Sequence, residues 1–86
     1  MEKSVFTREY AVLLETLRDF RRAAKVTQVD LAKRIREGQS FVSKSERGER
    51  RLDVVQLREI CFALGTTLPE FVAAFEKRLS SKRRGT

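Results

Sequence analysis

A chain of 86 residues has room for one modest core, since a domain this small buries only about 60% of the surface its unfolded chain exposes. Its 19 Lys and Arg outnumber 12 Asp and Glu for a net charge of +7, which suits a polyanionic partner, either nucleic acid or an acidic membrane surface. A lone cysteine, Cys61, excludes a disulfide within the chain, and the lack of histidine removes the usual zinc-ligand sets and imidazole bases, so no metal, cofactor or enzymatic chemistry is expected.

Apolar positions recur at helical spacing, and four glycines and one proline leave few breaks, so five helices and no strands are expected. The first, about Thr7 to Ala24, carries Tyr10, Leu13, Leu14, Leu17 and Phe20 as its apolar stripe, with Arg8, Arg18, Asp19 and Arg22 on the solvated side. The second, about Gln28 to Arg36, follows a capping Thr27 with Asp30 three residues on, and turns Leu31, Ala32 and Ile35 inward. Arg36, Glu37 and Gly38 break the period. A third, short helix, Gln39 to Glu46, ends near Gly48, which suits a left-handed terminus.

The fourth helix, about Asp53 to Leu64, has Asp53 and Gln56 as a capping box and Leu57, Ile60, Cys61 and Leu64 as its core face, with Cys61 a small buried hydrophobe. The fifth, about Leu68 to Leu79, follows Thr67 with Glu70 as a second box. Its stripe of Phe71, Val72, Phe75 and Leu79 is expected to be used in part as a dimer interface. One domain thus spans residues 1–79, and 80–86 form a basic tail expected to be disordered, with Lys82, Arg83 and Arg84 either touching phosphates or idle in solvent. The longest apolar runs, Ile60 to Leu64 and Phe71 to Phe75, are five residues each, too short for a membrane span or a signal-peptide core, so a cytoplasmic location is expected.

Two short helices joined by a tight turn in a basic chain make a mechanical device, because a helix about 10 to 12 Å wide fits the major groove of DNA, about 12 Å across. The bracing helix needs a small residue at the crossing with branched apolar residues around it, a pattern that Ala32 with Leu31, Ile35 and Val42 meets.

The run Thr27-Gln28, Leu31-Ala32, Gly38-Gln39-Ser40-Phe41-Val42-Ser43-Lys44, Glu46-Arg47-Gly48 and Ala63-Leu64-Gly65 resembles the Cro and phage-repressor (XRE-like) type of helix-turn-helix regulators, over about Leu17 to Phe71. The resemblance implies a compact all-α, lambda-repressor-like domain of five helices with its helix-turn-helix at the second and third. It implies base contacts from Gln39 and Ser40, with Ser43 and Lys44 one turn later. A glutamine amide can pair with adenine N6 and N7, and a serine hydroxyl can donate or accept. Gln28 matches a residue that binds phosphate and steadies the recognition-helix glutamine, and Arg47, Arg50 and Arg51 match backbone contacts. Arg21 and Glu46 match a structural ion pair between the first helix and the end of the recognition helix.

Two residues depart from the pattern. Arg36 stands where a turn glycine is usual, so the flexible position is expected to move to Gly38, and Ser45 stands where an aliphatic or aromatic core residue is usual, so Phe41 is expected to turn inward. The function implied is a bacterial or phage transcriptional regulator on the nucleoid, a repressor binding double-stranded operator DNA as a homodimer, without a small-molecule ligand or a membrane partner. An antitoxin or mobile-element control protein would use the same domain, and a protein-binding adaptor could use the same fold. A membrane-surface role for the fifth helix is the third alternative, disfavoured because packing explains its apolar face.

Overall fold

A computed structural model describes residues 7–84, with side chains to residue 81. Five α-helices follow one another, α1 (Arg8–Ala23), α2 (Gln28–Arg34), α3 (Gln39–Glu46), α4 (Val54–Ala63) and α5 (Leu68–Arg84), and no strand occurs among the described residues. The amino ends follow the cap chemistry in the sequence. Thr7 Oγ1 accepts from the Tyr10 amide at 3.1 Å and Thr27 Oγ1 from the Asp30 amide at 3.0 Å. At α4 the box is reciprocal, the Gln56 amide donating to Asp53 at 2.8 Å and the Asp53 amide to Gln56 at 2.9 Å. At α5 the Thr67 and Glu70 amides exchange 3.3 Å bonds with each other's side chains. The Thr66 hydroxyl also donates to Glu70, which holds the Glu70 carboxyl below its ordinary value.

The carboxyl ends share one geometry. After each of α1 to α4 a residue enters the left-handed region, at Lys25 (φ 61°), Arg36 (φ 61°), Gly48 (φ 84°) and Gly65 (φ 80°), and the next amide reaches back to the fourth residue before that one. These bonds run Val26 to Arg21, Glu37 to Ala32, Glu49 to Lys44 and Thr66 to Cys61, at 2.9 to 3.2 Å. Arg36 therefore corrects the sequence reading. It takes the left-handed conformation itself, while Gly38 sits at φ −80° as the N-cap of α3. The two reversed amide bonds that close α2 outweigh a side-chain penalty of only about 1–2 kcal/mol.

Lys25 is the cleaner place to measure that penalty, being exposed and remote from α3 in sequence. Lys25→Gly removes the left-handed cost and returns part of it as unfolded-chain entropy, so it should raise stability by roughly 0.5–1 kcal/mol. The urea midpoint should rise with an unchanged slope.

Packing centres on Leu17, Leu31, Val42, Ile60, Cys61 and Phe71, all at most 2% exposed. Ala32, at 3%, lets α2 and α3 approach closely, and Phe20 packs edge-on against Phe71 with centroids 5.3 Å apart. Phe41 turns inward as expected, at 9% exposure. Burial pushes the Cys61 thiol up to about 11, so it stays protonated and packs as a small hydrophobe.

Two helices differ from expectation. α1 buries Val12 and Thr16 besides its stripe, because α3 and α5 both pack on it, and Thr16 satisfies its hydroxyl on the Val12 carbonyl at 2.7 Å. Its Asp19, placed on the solvated side, is half-buried and pairs with Arg78 of α5 at 2.8 Å. α5 runs on to Arg84, past the Leu79 at which the apolar stripe ends, so most of the expected disordered tail is helix. No glycine or proline lies between Leu79 and Arg84 to end the helix earlier. The Lys82, Arg83 and Arg84 side chains, and residues 85 and 86, lie outside the described residues.

Candidate nucleic-acid interface

Recognition requires a helix held firmly on one side and free on the other. α3 buries Phe41, Val42, Ser45 and Glu46, spaced one turn apart in pairs, and this leaves Gln39, Ser40 and Lys44 exposed and Ser43 half-buried on the opposite face. Gly38 has no side chain with which to cap α3, so no cap side chain covers the amides of Gln39 and Ser40. The four residues expected to read bases thus lie on the outward side.

What holds α3 is an ion pair at its last residue. Arg21 Nε donates to Glu46 Oε2 at 2.6 Å and Arg21 Nη2 to Oε1 at 3.0 Å, a forked contact with the two side chains only 11% and 3% exposed. Arg21 Nη1 donates to the Val26 carbonyl at 2.9 Å, and Arg18 Nη1 to the Glu46 carbonyl at 3.0 Å. Arg18 was placed with the solvated residues, yet it lies three positions before Arg21, on the same side of α1. That spacing was the available signal.

Gln28 joins this network. Its Nε2 donates to Glu46 Oε1 at 3.0 Å, so its amide steadies the carboxylate at the end of the recognition helix rather than Gln39. Ser45, beside Glu46, is 1% exposed, and its hydroxyl has no hydrogen-bond partner among the described residues. An unpaired buried hydroxyl costs about 1–3 kcal/mol. Ser45→Ala should therefore raise stability by roughly 1 kcal/mol or more in denaturant titration and leave DNA affinity unchanged, because the hydroxyl faces inward.

The three arginines after α3 differ. Arg47 pairs with Glu49 at 2.8 Å, both half-exposed, and its Nη1 donates to Ser43 Oγ. This pairing raises the Arg47 guanidinium and lowers the Glu49 carboxyl relative to their ordinary values. Two expected DNA contacts, Ser43 and Arg47, are therefore bonded to each other, and Arg47 already has a counter-charge. Arg50 instead lies over the Phe41 ring, 4.9 Å from its centroid, and Arg51 over the Tyr10 ring at 4.4 Å. The Tyr10 hydroxyl accepts from the Leu52 amide at 3.2 Å, tying the loop after α3 to α1. Tyr10 and Phe41 thus act as platforms for basic side chains, a role their place on apolar stripes concealed.

The expected dimer stripe on α5 does not stay together. Phe71 is fully buried in the core of its own chain and is removed from that set; Val72 is 38% exposed, and Phe75 and Leu79 are half-buried. The hydrophobic demand of α1 and α4 takes the inner side of the stripe.

Residues 12–74 match the family model for a helix-turn-helix domain. An XRE-family like protein from Pseudomonas syringae pv. tomato str. DC3000 is 41% identical over 81% of this chain and 85% of its own, with a TM-score of 0.77. The clp gene regulator ClgR from Corynebacterium glutamicum superposes with a TM-score of 0.80 at 24% identity, over 92% of this chain and 84% of its own. A point mutant of the restriction-modification controller protein C.Esp1396I gives 0.78 at 23% identity, over 85% of this chain and 92% of its own. At those identities the last two share the fold. No curated protein sequence matches.

Proposed function

Because this chain belongs to the XRE-like family of helix-turn-helix DNA-binding regulators, we propose that it represses transcription by binding a palindromic operator as a homodimer through the major groove. The observation that carries the reading is the division of α3, whose inner face is locked by a buried forked ion pair while Gln39, Ser40 and Lys44 stand clear on the outer face. Gln39 and Ser40 read base edges, Gln39 with an amide suited to adenine, and Lys44 and Ser43 extend the reading by one turn. Arg50 and Arg51 neutralise phosphates, each held by an aromatic ring, while Arg47 does so after exchanging Glu49 for a phosphate. Gln28 donates to Glu46 with one of its two amide hydrogens and keeps the second for a phosphate.

Two recognition helices in successive grooves need a spacing of about 34 Å, which a two-fold dimer on a palindrome supplies. Repression follows where the operator overlaps a promoter, and the work is binding rather than catalysis. Its place is the nucleoid; no helix among the described residues is long and apolar enough to cross a membrane.

Selection of bound sequences from random duplexes, followed by titration of the winner at several salt concentrations, tests the reading. An enriched inverted repeat with nanomolar-range affinity at physiological salt is expected. Failure to enrich any motif would overturn it in favour of an adaptor that uses the fold to bind protein.

A further inference from the structure

α4 turns Leu57, Ile60 and Cys61 into the core, yet its other side is also apolar: Val54 and Val55 are 63% exposed and Phe62 is 56%. A 10-residue helix thus carries three of the large exposed hydrophobic side chains among the described residues. Single exposed apolar residues are ordinary, and Val54 is one, about 100° around the helix from Val55. Val55 and Phe62, in line on the side away from the core, mark an interaction surface.

The arrangement of charge on this face identifies the partner. Successive residues of an α-helix advance by about 100°, so Val55 and Phe62 lie roughly 20° apart and form a line two turns long. Arg58 falls about 60° to one side of Val55 and Glu59 about 40° to the other, between the two apolar residues in height. Both are exposed. The face is therefore an apolar line with one basic and one acidic edge at the same level.

We propose that this face of α4 is the homodimer interface, two copies laying their α4 helices side by side and parallel about a two-fold axis that runs along them. This inference rests on the homodimer in the reading above and names its surface. Under such an axis Val55 meets Val55 and Phe62 meets Phe62 of the second copy. The basic edge of each helix then faces the acidic edge of the other on both sides, the charge logic that flanks the seam of a parallel coiled coil. An axis perpendicular to the helices would bring Arg58 against Arg58 and Glu59 against Glu59, so charge complementarity selects the parallel arrangement.

In the isolated chain the Arg58 guanidinium covers the Phe62 ring, 4.5 Å from its centroid. In the dimer the second ring takes that place and frees Arg58 for Glu59 of the second copy. Beyond the helix, Phe62 borders an open groove of about 410 Å³ lined by Ile35 and Ala63 and by the charged Arg34, Arg36 and Glu59. Its apolar residues, Ile35, Phe62 and Ala63, extend the contact of an interface that must reach about 1,000 Å² to be stable.

Sedimentation of the full chain, with binding of a half-site duplex measured in parallel, tests the proposal. Arg58→Glu and Glu59→Arg should each raise the dimer dissociation constant roughly tenfold or more, and the double exchange should restore it. All three change exposed positions, so circular dichroism and half-site binding should match wild type. Val55→Cys should cross-link to itself on oxidation, whereas a mixture of Val55→Cys and Phe62→Cys chains should give no cross-link between the two; Cys61 is buried and does not compete. Val72→Glu, on α5, should leave association unchanged. Dimerisation indifferent to both single exchanges, or abolished by Val72→Glu alone, would overturn the proposal while half-site binding upheld the DNA reading. A mixed 55–62 cross-link would overturn the parallel arrangement. A wild-type chain that stays monomeric would overturn the dimer, and loss of half-site binding by wild type would separately overturn the DNA reading.

Discussion

Glu46→Ala is expected to destabilise the fold by about 3–5 kcal/mol, the cost of leaving a buried guanidinium without its carboxylate. The environment places this pair at the costly end of the range for ion pairs. Arg21 and Glu46 are 11% and 3% exposed at the side chain, so water cannot replace the lost partner, whereas an exposed pair contributes about 1 kcal/mol or less. Gln28 loses its acceptor as well. For a chain of 86 residues total stability is roughly 4–13 kcal/mol, so the substitution removes a large share of it. The melting temperature should fall by roughly 12–40 °C, at about 4–8 °C per kcal/mol.

Glu46→Gln separates charge from shape, keeping a side chain that can accept from Arg21 Nε while leaving the positive charge unbalanced, and should fall between wild type and alanine. Gln28→Ala removes one hydrogen bond to a charged group and should cost only about 1.5–3 kcal/mol. Where Glu46→Ala remains folded at low temperature, its DNA affinity should drop without a change of preferred sequence, because the residue anchors α3 and touches no base. A Glu46→Ala chain as stable as wild type would mean that the α1 to α3 tie is not what holds the recognition helix.

The sequence carried this device unevenly. The bounds of α3 were legible because Gly38 and Gly48 flank a single nine-residue stretch, and the inward turn of Phe41 followed from the small Ser45 beside it. The Arg21 and Glu46 partnership came from family resemblance. Its burial did not, since burial depends on how α1 crosses α3, which no local pattern records. Arg36 misled because a left-handed residue is normally a glycine; the amide bonds that close α2 are a tertiary-scale benefit invisible in residue type. Phe71 misled for the opposite reason. An apolar stripe looks the same whether its own core or a second chain covers it, and only the packing of Phe20 against Phe71 decides. The pairing of Arg47 with Glu49 was hidden because neighbouring charges in a loop have no fixed relative direction until the backbone turns at Gly48.

That last pairing changes which arginine should govern the salt dependence of binding, and with it the contrast that tests how α3 lies on DNA. Gln39→Ala should cost about 1–3 kcal/mol against the selected site, roughly 5- to 150-fold in affinity, and should relax one or two base positions in a repeated selection. Its stability should barely change, since Gln39 is exposed and makes none of the contacts that hold α3. Arg50→Ala should weaken all sequences alike and lower the slope of log affinity against log salt by about 1, the signature of one lost phosphate contact. Arg47→Ala should move that slope less than Arg50→Ala, because Arg47 must first give up Glu49. Conversely, Glu49→Gln frees Arg47 and removes a negative charge near the backbone, so it should tighten binding and steepen the slope. If Gln39→Ala weakened every sequence equally while Arg50→Ala altered base preference, the recognition helix would be turned on the groove, and the outward side of α3 would need to be assigned afresh.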